Sequence, residues 1–165
     1  MPTSRTVKKK LQIAAFAGGC FWGVEEVFRT TKGVKETAAG YMGGSMKNPG
    51  YKDVCTGKTG HAEVVKVSFD PNVVSYSKLL DIFWQIHDPT TLNRQGPDFG
   101  TQYRSAIFYY TNEQKKQAEK SKKALEASNK FNKPIVTEIV PAGEFYKAED
   151  YHQKYLMRNG VNACH

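Results

Sequence analysis

"LQIAAFAGGCFWGVEEVFRT", Leu11 to Thr30, changes its period halfway along. Up to Ala17 nearly every side chain is apolar, as in a strand buried on both faces. From Phe21 onward Val24, Val27 and Phe28 share one face of a helix. Gly18 and Gly19 separate the two patterns, so Cys20 falls where a strand turns into a helix. The start of a helix offers a sulfur the positive end of the dipole and backbone N–H groups with no intrahelical partner, and both favour the thiolate. The other role for such a cysteine is that of a small buried apolar side chain. The flanking glycines weigh against it by opening space around the sulfur. Of the adjacent Phe21 and Trp22, a first helical turn exposes at least one, which gives an apolar floor beside Cys20.

Downstream, "GVKETAAGYMGG" predicts a short strand that dissolves into a glycine-rich loop, and "NPGYKDVCTGKTGH" continues that loop, so Tyr41 and Tyr51 are both expected outside regular structure. "AEVVKVSFDP" alternates as a strand closed by Pro71. Its alternation puts Glu63 on the side of Val65 and Val67. A carboxylate there is costly unless paired or protonated, and a raised pKa makes it a proton donor at neutral pH. A strand-end glutamate turned back to water is the alternative. "SYSKLLDIFWQIHD" is a helix with a serine cap, "HDPTTLNRQGPDFGTQ" a loop, and "YRSAIFYY" a strand. "TNEQKKQAEKSKKALEASNK" is a long polar helix capped by Thr111 or Asn112, "KPIVTEIV" a strand, and "KAEDYHQKYLMRN" a last helix.

This order predicts an α+β fold: a two-layer α/β sandwich with a ferredoxin-like βαββαβ core, extended by a C-terminal helix, a strand and an irregular tail. No repeat or linker divides the 165 residues, so one domain is expected over 1–165, with a flexible basic N-terminus over 1–10 and a mobile tail over 159–165. The fold alone assigns no function.

The formal charge of +8 admits an acidic partner. Much of it lies in "VKKK" and in "KKQAEKSKK", where Glu and Gln interleave at helical spacing, and a solvated helix face accounts for the second run. Three cysteines do not make a disulfide framework in a chain of this size and imply a reducing compartment. "RTVKKKLQIAAFA" imitates a signal peptide, but its apolar run is interrupted by Gln12 and too short, so a cytoplasmic protein with no membrane span is expected. Cysteines and histidines lack paired ligand spacing, so neither a metal nor an organic cofactor is expected.

"GCFWG", "GYMGG", "NPGYKDVCTGKTGHAEVV", "IHDPTTLNRQGPDFGTQYRS" and "EDYHQKYL" resemble, in order and from Ala17 to Leu156, the motif series of the type A peptide methionine sulfoxide reductases. The resemblance implies that Cys20 is the nucleophile, that Phe21 and Trp22 hold the substrate methyl group, and that Glu63 protonates the sulfoxide oxygen. It implies that Tyr51 and Tyr103 bind that oxygen, and that Asp98 orders the substrate or a bound water. It also implies action on the S epimer without a cofactor, leaving a sulfenic acid on Cys20. Cys164, near the C-terminus, would resolve that acid, with thioredoxin as final donor. Cys55 is expected to be structural, His61 and His87 to orient loops, and His152 to support the site from behind. A monomer is expected, with methionine sulfoxide, free or in peptides and proteins, as substrate.

Two other functions fit parts of the sequence. One is a thiol hydrolase pairing Cys20 with His61 or His152. The other is a basic ferredoxin-like domain that binds single-stranded RNA through the aromatics of "AIFYY", although the RNP aromatic pattern is absent.

Overall fold

The computed structural model describes residues 11–159, so expectations for residues 1–10 and for 160–165, Cys164 among them, fall outside the described residues. The opening stretch forms β1 (Gln12–Gly18) and α1 (Phe21–Arg29). After them come β2 (Val34–Met42), α2 (Tyr51–Cys55), β3 (Ala62–Phe69) and α3 (Tyr76–Gln85), whose Ser75 cap accepts a hydrogen bond from Lys78 N–H. A small hairpin of β4 (Arg94–Gln95) and β5 (Asp98–Phe99) precedes a 3-10 turn at Thr101–Tyr103 and β6 (Ser105–Tyr109). The rest comprises α4 (Asn112–Ala127), capped by Thr111, then β7 (Glu138–Pro141), β8 (Tyr146–Lys147), a 3-10 turn at Asp150–His152 and α5 (Tyr155–Asn159).

Six strands form one sheet in the order β7-β6-β1-β3-β2-β8. Its four middle strands follow the ferredoxin-like order: β1 runs antiparallel to both β3 and β6, β2 antiparallel to β3, and β7 is added parallel to β6. β1 is buried on both faces, which explains its unbroken apolar run. Ala14 and Phe16 join Phe21, Val24, Phe28, Leu79 and Phe83 in the core beneath the helices. Ala15 and Ala17 face the opposite cluster, closed by Val140, Ala142 and Phe145. Of the three aromatics of "AIFYY", only Phe108 is buried, Tyr109 being half-buried and Tyr110 exposed. Phe108 is enclosed, and the sheet surface around it is covered.

Four segments differ from the sequence expectation, the first being the loop of "HDPTTLNRQGPDFGTQ", which holds the β4–β5 hairpin because Arg94 and Gln95 pair with Phe99 and Asp98. β2 is nine residues long rather than short, and Tyr41 lies in it, fully buried. The stretch after Gly50 forms α2, with Tyr51 as its first residue. "KAEDYHQKYLMRN" is not one helix, because its polar groups bond elsewhere. The Gln153 amide bonds to both backbone groups of Ala39, Lys154 N–H donates to Glu25 Oε1, and Lys154 takes a φ of 52°, which breaks the helical path. Asn159, expected in the tail, still closes α5.

His87 pins α3 to the sheet. Its Nδ1–H donates to Phe83 O, and its Nε2 accepts from Ser105 Oγ, which in turn meets Thr137 Oγ1, each contact at 2.7 Å. Burial pushes its pKa down to about 4.

Candidate active site

Cys20 is the N-cap of α1, with φ −59° and ψ 125°. Its position depends on Gly19, whose φ of 101° disfavours other residues, and where a Cβ would come within 2.8 Å of Gln95 Cγ. The sulfur thus sits at the head of the helix, half-buried, between the sheet and the β4–β5 hairpin.

Glu63 is the strand residue expected to face inward, and it does so, at 2 % exposure. Its Oε1 accepts a hydrogen bond from Phe21 N–H at 3.1 Å, the first amide of α1 after Cys20. Burial raises its pKa well above the carboxylate range. The charges of Cys20 and Asp98 add to that rise, and the Phe21 amide offsets it only in part. Burial thus pushes the carboxyl toward its protonated form. Tyr51 and Tyr103 are half-buried, and burial holds both as hydroxyls. Tyr51 also hydrogen-bonds Cys55, on the next turn of α2. Cys55 itself is exposed, and packing around its sulfur raises its pKa. Asp98 comes from β5, at the opening beside Cys20. The structure therefore gathers Cys20, Glu63, Tyr51, Tyr103 and Asp98 into one electrostatically coupled group.

Phe21 and Trp22 part ways. Phe21 is 1 % exposed and packs on Tyr41 and His152, with ring centroids 5.7 and 5.2 Å away. Trp22, partly exposed, stacks on Tyr155 at 3.7 Å and donates from Nε1–H to His152 Nδ1 at 2.9 Å. His152 also packs against Tyr51 at 4.5 Å and Tyr151 at 4.1 Å, so one imidazole meets four aromatic rings. With Nδ1 accepting, its proton is on Nε2, which has no hydrogen-bond partner. His61 is fixed by Gly44 N–H on Nδ1 and by Met46 O on Nε2. Neither histidine forms the dyad with Cys20 that a thiol hydrolase needs.

Sequence reasoning passed over two glutamates. Glu149 accepts from Tyr41 Oη–H at 3.0 Å and from Tyr51 N–H at 2.9 Å, anchoring the start of α2. Glu25, fully buried, accepts from Thr37 Oγ1–H at 2.8 Å and Lys154 N–H at 2.7 Å. Spacing alone could have found Glu25, since 21, 24, 25 and 28 share a helix face. Glu149 carries no such local signal. Among the described residues no group of three or more His, Cys, Asp or Glu side chains could hold a metal ion, and no helix is long and apolar enough to cross a membrane.

The site thus places a thiol at a helix start among a buried carboxyl and two tyrosine hydroxyls. Residues 12–165 match the family model described as peptide methionine sulfoxide reductase, and the chain belongs to that family of oxidoreductases. The peptide methionine sulfoxide reductase MsrA of Methanothermobacter thermautotrophicus is 62% identical over 152 residues, covering 92% of this chain and 90% of that protein. Among solved structures, reduced Mxr1 of Saccharomyces cerevisiae aligns over 93% of this chain and 88% of its own, at 39% identity and a TM-score of 0.87. Mxr1 in complex with Trx2 aligns with a TM-score of 0.63 at 28% identity, over 88% of this chain and 85% of its own.

Proposed function

We propose that this chain reduces the S epimer of methionine sulfoxide, free or within peptides and proteins, by direct thiol chemistry. The observation that carries the reading is Cys20 at the head of α1 beside Glu63, a buried carboxyl that accepts from Phe21 N–H and is pushed toward its protonated form. A sulfoxide sulfur is electrophilic, but its oxygen is a poor leaving group until protonated. Cys20 attacks that sulfur while Glu63 delivers a proton to the oxygen, and the hydroxyls of Tyr51 and Tyr103 stabilise the charge that develops there. Trp22 bounds the space for the methyl group, with Phe21 packed behind it, and Asp98 orders the substrate or a water. In net terms two electrons pass to the substrate and its oxygen to Cys20, giving a thioether and a sulfenic acid.

The Cys164 thiol then attacks the Cys20 sulfur, a disulfide forms and water leaves. A thioredoxin dithiol reduces that disulfide by exchange. Support for thioredoxin comes from the structurally similar Mxr1, which forms a complex with Trx2.

Separated epimers of a methionine sulfoxide peptide, incubated with the protein and dithiothreitol, test the first half. Only the S epimer is expected to disappear, and Cys20→Ser is expected to abolish the loss. Consumption of both epimers, or turnover by Cys20→Ser, refutes the mechanism. For the second half, Cys164→Ser is expected to reduce one equivalent at a normal rate, stall with thioredoxin and still cycle with dithiothreitol. Normal cycling with thioredoxin removes Cys164 from the pathway.

A further inference from the structure

Cys20 borders a second space besides its acidic and aromatic neighbours. Along α1, Cys20, Gly23, Val24 and Val27 follow the i, i+3, i+4, i+7 spacing of a single helix face. With Gly18, with Ile86, just past α3, and with Gln95, Gly96 and Asp98 of the hairpin, they line a groove of about 250 Å³ that Cys20 borders. Its walls are fixed. Val24 is 4 % exposed, and the Gln95 amide accepts from Asp88 N–H at 3.0 Å and donates to Asp88 O at 2.6 Å. The volume is below the ~300–1,000 Å³ typical of small-molecule sites, so it suits one side chain rather than a cofactor.

The sulfur of a sulfoxide is pyramidal and carries an oxygen, a methyl group and the methylene chain of the amino acid. In the proposed function the oxygen meets Glu63, Tyr51 and Tyr103, and the methyl group meets Trp22. These groups lie toward β3 and the C-terminal segment, as the contacts of Trp22 with His152 and Tyr155 show. The third substituent must leave on the remaining side, where the groove runs down α1. We infer that the groove is a specificity subsite for the apolar side chain of a residue next to methionine sulfoxide in a peptide, with Val27 and Ile86 as the residues that set the preference. The inference rests on the proposed function. It goes further in naming the sequence context of the substrate.

Two peptide series test it, with Leu, Gly or Asp placed immediately before or immediately after methionine sulfoxide, and kcat/KM measured with dithiothreitol. In one series Leu is expected to exceed Gly about tenfold, with Asp lowest, as for partial burial of one aliphatic side chain. Val27→Asp is expected to erase that preference while leaving free methionine sulfoxide within about twofold of the wild-type rate, a control that also reports on folding. The milder Ile86→Ala is expected to reduce the preference in part. Equal rates for Leu and Gly in both series overturn the inference. So does a Val27→Asp variant that keeps the preference and slows only Cys20–Cys164 disulfide formation, because the groove would then serve the chain's own C-terminus. Failure of the wild type on every sulfoxide, free methionine sulfoxide included, strikes the proposed function itself and the inference with it.

Discussion

Two carboxylates are buried against the same helix, and they are held in opposite ways. Glu25 has a donor on each oxygen, one from β2 and one from the C-terminal segment. Glu63 accepts one amide hydrogen bond and otherwise faces the negative charges of Cys20 and Asp98. Donors answer the cost of burying the first, whereas burial and the neighbouring charges push the second toward its protonated form. One residue type thus sits in two kinds of surroundings, and the difference lies in the neighbours.

The largest expected effect follows from this contrast. Glu63→Gln is expected to slow sulfenic acid formation by roughly 10²–10⁴-fold in a single turnover, whereas Glu25→Gln leaves that rate within a few-fold. The reverse pattern would exchange the two roles. pH sharpens the contrast, because the pKa of Glu63 is raised on folding. Its contribution to stability is whole below the ordinary carboxylate pKa and is lost as pH rises through the folded value. Denaturation midpoints should therefore fall toward alkaline pH less steeply in Glu63→Gln than in the wild type.

His87 is a third buried ionisable group, and its sign is opposite. Its pKa falls from 6.5 to about 4 on folding, so stability present above pH 6.5 erodes as the pH drops toward 4. The loss amounts to roughly 3 kcal/mol. Urea titrations at pH 7 and pH 4 on wild type and His87→Gln measure it, and equal acid losses in the two proteins would clear His87 of the effect. The smallest expected change is the stability of Glu25→Gln at neutral pH. Its amide oxygen can still accept from Lys154 N–H while its NH₂ group donates to the Thr37 hydroxyl, so the exchange costs only about 1 kcal/mol by the same titration. No loss would mean that the Glu25 carboxylate is redundant with Gln153.

The strand-turn-helix of residues 12–29 was legible because it depends on local rules: an unbroken apolar run, glycines at the junction, and a 3.6-residue period. Glu63 was legible for the same reason, as one position in an alternating strand. β2 was read as short because Lys35, Glu36, Thr37 and Gly40 dilute its pattern, yet Thr37 is buried where its hydroxyl reaches Glu25. α2 is too short to announce itself, and the carboxylate that anchors its first amide lies 98 residues away at Glu149. The C-terminal segment misled for a like reason. Its helical spacing is real, but Gln153 and Lys154 bond to residues 114 and 129 positions distant, and no local pattern encodes such partners.

The carboxamide of Gln153 has one more consequence. It accepts from Ala39 N–H and donates to Ala39 O, both at 2.8 Å, and so occupies the rim of β2 just past the two residues that β8 pairs. An open rim is a template on which another polypeptide can stack, and proteins usually block it with charge, proline or a bulge. Here a single side chain takes the place of a backbone unit, and it can do so only because an amide both gives and receives a proton. Glutamate at this position, identical in outline, could still accept from Ala39 N–H but would set an oxygen against Ala39 O, which would keep only the bond it accepts from Ala148 N–H.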